Sequence, residues 1–135
     1  MSARDQIAFP KTEHLRLPKL LALARESTCM LAYLKHKHDH DAVIAAHSDS
    51  SRHGKGRGIK SHDCFVAYIC QYCHNKIPEM KRENREEIFS SAMRSTRNWL
   101  WAMEMIKGVT VADIELDDKW LHGWRTGRIQ LTGKK

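Results

Sequence analysis

No run in this sequence approaches the apolar length that a bilayer-spanning helix needs. The opening residues, MSARDQIAFPKTEHLRLPK, lack the apolar stretch and small-residue cleavage site of a secretory signal. No internal repeat is present, which argues against a solenoid. Acidic residues are in short supply: 16 Asp and Glu stand against 23 Lys and Arg, for a formal charge of +7. That imbalance favours a polyanionic partner, because each phosphate neutralised releases counterions. Cysteine is sparse at four residues, and two of them, Cys70 and Cys73, stand beside His74 in a Cys-x-x-Cys-His run. This pattern fits metal ligation in a reducing compartment better than a secreted disulfide framework. The expectation is a cytoplasmic protein with no membrane partner.

The 135 residues fit one domain, and 41% hydrophobic content suffices for a modest core. Residues 1–26 read as an N-terminal extension, loosely packed around Pro10 and Pro18, with a short helix over 19–25. Residues 27–107 read as the functional domain, and 108–135 as a C-terminal extension with a basic tail. Within the domain, residues 42–46 (AVIAA) form a compact apolar strand that delivers His47 at its end, and residues 65–69 form a second strand. Between them, residues 48–60 are glycine, serine and basic residues with no packing core of their own. A long helix is predicted from an Asn84-x-x-Glu87 capping signal to about residue 107, closed by Gly108. Its apolar stripe includes Ile88, Phe89, Ala92, Met93, Trp99, Leu100, Met103 and Ile106.

Two residues between Cys70 and Cys73 let both sulfurs converge on one tetrahedral ion. Cys29 is the third ligand to expect, with His36 or His38 as the fourth, in a structural zinc site that would stabilise a small core. Cys64 reads as a buried thiol. His47, Asp63 and His74 form a separate set, since imidazole and carboxylate ligands suit an open, catalytic divalent ion. Cleaving a phosphodiester needs a base for water, a cation for the developing charge, and groups that hold the strand.

Taken together, Cys29, Ala46-His47, the Gly54-Lys55-Gly56-Arg57-Gly58-Ile59-Lys60 loop, Asp63 and Cys70-Gln71-Tyr72-Cys73-His74 occur in an ordered combination. In this it resembles the YbcO-like phage and prophage family of the HNH, or ββα-metal, endonuclease superfamily, over residues 29–101. The resemblance implies an α+β fold: a small zinc-stabilised, treble-clef-like ββα-metal core, a long C-terminal helix and peripheral helical segments. It implies His47 as general base, His74 as a ligand of a catalytic Mg2+ or Mn2+, and Asp63 either orienting the base or binding the metal. Ala46 departs from the pattern where many relatives place a metal-binding Asp or His, and no second histidine follows His74 by four residues. Asp49 or His53 is the candidate for the missing ligand. Pro78 also stands near where relatives carry an acidic residue.

Arg52, Lys55, Arg57 and Lys60 are positioned by sequence to contact the phosphate backbone of DNA, with the glycines allowing close approach of main-chain N–H groups. The Walker pattern G-x-x-x-x-G-K-[ST] is missing, which argues against an ATP site. Trp99 shares the apolar helix stripe, and Trp120 and Trp124 are four residues apart, so these read as packing residues rather than base-stacking platforms. The leading expectation is a metal-dependent DNA endonuclease. The alternatives are a zinc-stabilised nucleic-acid-binding module without cleavage, and an interaction component of a phage recombination or packaging complex.

Overall fold

A computed structural model describes residues 14–31 and 42–133. Two β-branched and apolar runs, VIAAH and VAYIC, form the central hairpin. Strand β1 (Val43–His47) pairs antiparallel with β2 (Val66–Cys70), from Val43 opposite Cys70 to His47 opposite Val66. Every residue of β2 is buried. Its outer edge is covered rather than left open: Tyr68 N–H donates to Thr96 Oγ1 at 3.0 Å, and Tyr68 O accepts from Met30 N–H at 2.9 Å.

Helix α1 (Pro18–Ala22) starts with proline, whose fixed φ and missing N–H suit the first helical turn, and continues into a 3-10 turn over Leu23–Glu26. Leu20 and Ala24 enter the hairpin core, and Tyr68 Oη donates to Leu20 O. Helix α2 (Gln71–Lys76) follows β2 directly, with Cys70 as its N-cap. Helix α3 (Arg82–Ala102) packs Ala92, Met93, Thr96 and Leu100 inward. The predicted Asn84 cap is corrected here: Met80 and Lys81 are extended, so the helix begins at Arg82 with Lys81 as a cap that makes no side-chain bond. The predicted helical run to residue 107 also stops short. Glu104 takes a positive φ of 58° and turns the chain, so Ile106 is buried from strand β3 (Ile106–Lys107) instead of from the helix.

Helix α4 (Val111–Glu115) opens with a Thr110–Asp113 capping box. Helix α5 (Asp117–Arg125) follows, and β4 (Gln130–Leu131) pairs with β3. Gly108, at φ 78°, is not a helix cap but the point where this segment closes: a Cβ there would lie 1.9 Å from Arg128 O. Trp120 and Trp124 pack edge to face at 5.7 Å, as their helical spacing predicts, and Trp120 Nε1–H donates to Cys64 O at 2.7 Å. Trp99 packs edge-on against Tyr68, while Trp101 is exposed. The described parts of both terminal segments therefore bury residues in the same core as the hairpin.

Among the described residues the fold is a small mixed α+β arrangement of five α-helices and two short antiparallel sheets. No helix among them is long and apolar enough to cross a membrane.

Candidate functional site

The two ends of the β1–β2 hairpin carry different chemistry. At the Cys70 end, strand-to-helix geometry does what the Cys-x-x-Cys spacing predicts: Cys70 ends β2, and Cys73 sits on the first turn of α2. Cys29 joins them from the segment pinned to Tyr68 O by Met30 N–H. The three sulfur atoms lie within 4.8 Å of one another. Cys29 Sγ and Cys73 Sγ are 3.7 Å apart, matching the roughly 3.8 Å edge of a tetrahedron with zinc–sulfur bonds near 2.3 Å. Cys70 N–H also points at Cys29 Sγ, at 3.3 Å. Burial pushes the Cys70 and Cys73 thiols up, and the neighbouring sulfurs reinforce this for Cys73. A divalent cation at the centre reverses that cost, since a coordinated thiol is deprotonated outright. These residues can therefore hold a metal ion. His36 and His38, the candidates for a fourth ligand, lie outside the described residues. Cys64 stands apart from the trio, and burial pushes its thiol up to about 12.

At the other end, His47 Nε2 lies 2.9 Å from Asp63 Oδ1. Asp63 is buried, and both of its carboxylate oxygens are engaged: Oδ1 also takes Arg16 Nη1 at 3.3 Å, and Oδ2 accepts Leu17 N–H at 2.6 Å. A carboxylate accepts only, so Nε2 of His47 carries a proton, and in the neutral imidazole Nδ1 then holds the lone pair. Nδ1 has no hydrogen-bond partner among the described residues, and the His47 side chain is 15% exposed. An imidazole oriented in this way can take a proton from water.

The remaining residues of the expected hard-ion set are not gathered. His74 is exposed on α2, its Nδ1 3.5 Å from Gln71 Nε2. It follows Cys70, whereas Asp63 precedes Val66, and those two ends of β2 are four residue steps apart, roughly 13 Å. Asp49 is exposed just beyond Ser48. Among the described residues, the gathered set of three metal-ligating side chains is the thiolate trio. His53 is committed elsewhere: Nδ1 lies 2.6 Å from Ser48 Oγ, Nε2 lies 2.6 Å from Asp117 Oδ2, and its ring stacks on Phe65 at 4.2 Å.

The basic loop folds more than its composition suggests. Ser50 caps a 3-10 turn over Ser51–His53, and Gly56 and Ile59 exchange backbone hydrogen bonds across a tight turn in which Gly58 has φ 68°. Gly54 is required by close approach, since a Cβ there would meet the His62 ring at 2.8 Å. Arg52, Arg57 and Lys60 are exposed on this loop, and Lys55 is half-buried with Nζ 3.3 Å from Gly56 O.

The sequence reading missed several groups. Arg16 reaches Asp63 from the N-terminal segment; the alternating Leu15-Arg16-Leu17, two apolar residues flanking a charge, was the available signal. Asp117 accepts from His53 and from buried Arg97, whose Nη2 lies 2.9 Å away, and these bonds hold its carboxyl well below the usual range. Arg52, His53, Phe65, Arg94, Arg97 and Asp117 line an open cleft beside this network.

His62 accepts Leu15 N–H at Nδ1 and stacks on His14, tying the N-terminal segment to the loop. Burial lowers its pKa to about 4; the charges of Arg125, His14 and Arg16 add to this, and Asp63 opposes it. The unfolded chain binds the proton near 6.5, whereas the folded chain refuses it until about 4, so stability is lost as pH falls through that window. Asp113, held down to about 2 by Arg128, loses its contribution at lower pH. Urea unfolding across a pH series is expected to show a falling midpoint between roughly pH 6.5 and 4; a flat midpoint there would contradict the assignment.

Compared with models of protein families, with curated proteins and with solved structures, the chain finds no match.

Proposed function

We propose that this chain is a small, zinc-stabilised endonuclease that hydrolyses DNA phosphodiester bonds with His47 as general base. The observation that carries the reading is the 2.9 Å bond from His47 Nε2 to a buried Asp63, which orients the ring and leaves Nδ1 to act on a proton. The exposed Arg52, Arg57 and Lys60, on the loop that joins the two strands, suit a phosphate backbone. Zinc is the ion of choice for the trio, because three thiolates form a soft donor set, with His36 or His38 as fourth ligand. The order β1, glycine-rich loop, β2, α2 is the one that the HNH resemblance implies, and it supports membership as part of this proposal.

In the hydrolytic step, His47 Nδ1 takes a proton from water as the water oxygen bonds to phosphorus. The bond from phosphorus to the leaving ester oxygen breaks, and that oxygen takes a proton from solvent. Asp63 holds the imidazolium that forms. Asp63, His74 and Asp49 do not converge on a hard-ion site here, so the step uses the chain's own groups; the Mg2+ or Mn2+ that the resemblance implies is varied in the assay.

That separation of hard ligands favours one second reading, a zinc-stabilised nucleic-acid-binding module that does not cut. Incubating zinc-loaded protein with supercoiled plasmid in Mg2+, in Mn2+ and with EDTA separates the two. Nicked or linear product supports the nuclease. A gel shift without product under every condition moves the assignment to the binding module.

A further inference from the structure

We propose that Arg16 is a phosphate-contacting residue, presenting a pre-positioned guanidinium to the DNA phosphate attacked by the water that His47 deprotonates. The inference rests on the reading of the site as a nuclease and adds a group from outside the segment that carries the resemblance. Arg16 Nη1 and His47 Nε2 share one oxygen, Asp63 Oδ1, at 3.3 and 2.9 Å, which sets the guanidinium beside the imidazole. An exposed arginine ordinarily spends its donors on water and samples many rotamers. This one is fixed by main-chain carbonyls: Nη1 donates to Ser61 O at 2.7 Å and Leu15 O at 3.2 Å, and Nη2 to Lys60 O at 3.1 Å.

A guanidinium has five N–H donors. The bonds formed leave Nε–H and one Nη2–H without an acceptor among the described residues, on a side chain that is 44% exposed. Those are the donors that a phosphate oxyanion needs, in the planar geometry that matches it. Because the carbonyls hold the group before substrate arrives, little reorganisation remains when negative charge grows on phosphorus. Arg16 thereby supplies a fixed cation at the end of the hairpin where, among the described residues, metal-ligating side chains are not gathered.

The test has a binding arm and a cleavage arm. In a His47→Ala background, where DNA stays intact, Arg16→Met and Arg16→Lys are titrated with a fluorescein-labelled duplex across a salt series, by fluorescence anisotropy. Arg16→Met is expected to reduce the slope of log K against log salt by about 0.9, the loss of one phosphate contact, while Arg16→Lys retains it. With His47 present, Arg16→Met is expected to lower the rate at saturating DNA by about 10²–10³-fold, with partial recovery in Arg16→Lys. Melting temperatures recorded in parallel separate a merely structural strap from a contact, because loosening Asp63 alone lowers stability and leaves the salt slope in place. An unchanged slope overturns the phosphate contact. A reduced slope with an unchanged saturating rate overturns the role in the transition state. A reduced slope in a protein whose wild type does not cleave leaves the contact standing and overturns the nuclease reading instead.

Discussion

Cys73→Ser is expected to abolish metal binding by the cysteine trio and, with it, cooperative folding. Cys73 is fully buried in the trio with Cys29 and Cys70, and a serine hydroxyl does not replace a thiolate in a soft tetrahedral shell. Apparent zinc-binding free energies of about 10–16 kcal/mol in small domains match or exceed a total stability of about 5–15 kcal/mol, so loss of the ion is expected to unfold the chain. Cys64→Ser is the control. Cys64 is equally buried but outside the trio, so its replacement is expected to cost only about 1–3 kcal/mol, for placing a hydroxyl in an apolar site, and to leave the zinc content unchanged. Zinc content by atomic absorption and thermal unfolding by circular dichroism check both variants. A Cys73→Ser protein with wild-type zinc and melting temperature contradicts the metal assignment.

Asp63→Asn is expected to damage activity and stability together. The amide keeps the shape but loses the charge that fixes the His47 tautomer, and the rate is expected to fall by about 10²–10⁴-fold. Asp63 also anchors Arg16 and Leu17 N–H, and losing charge-assisted bonds of this kind costs about 1.5–3 kcal/mol. Single-turnover cleavage and urea unfolding measure the two effects. A rate within a few-fold of wild type would remove Asp63 from the base's machinery.

The hairpin was legible in the sequence because AVIAA and FVAYI are short apolar runs bounded by polar, glycine-rich chain, and the thiolate convergence because two-residue spacing at a strand-to-helix junction admits few geometries. The His47–Asp63 contact corresponds to one of the two roles that the resemblance implied for Asp63, orienting the base, the other being metal binding. The end of α3 was not legible: Met103 and Ile106 fit the helical stripe, and only the left-handed turn at Glu104, a residue with no special preference for it, takes Ile106 into β3. Nor was the wiring around the site. His53 meets Asp117 across 64 residues and Arg16 meets Asp63 across 47; the Leu15-Arg16-Leu17 alternation marks a packed segment, but no local pattern names a partner so distant in sequence. Asp117 stands in the acidic first turn of α5 and is also the acceptor for His53 and Arg97.

Whether His47 activates water is read most directly from cleavage of supercoiled plasmid by zinc-loaded wild type and His47→Ala side by side, at matched zinc content and melting temperature. The expected result is conversion to nicked or linear DNA by wild type and a fall of about 10²–10⁴-fold in the variant, with folding intact. Equal cleavage by the two proteins would contradict the account.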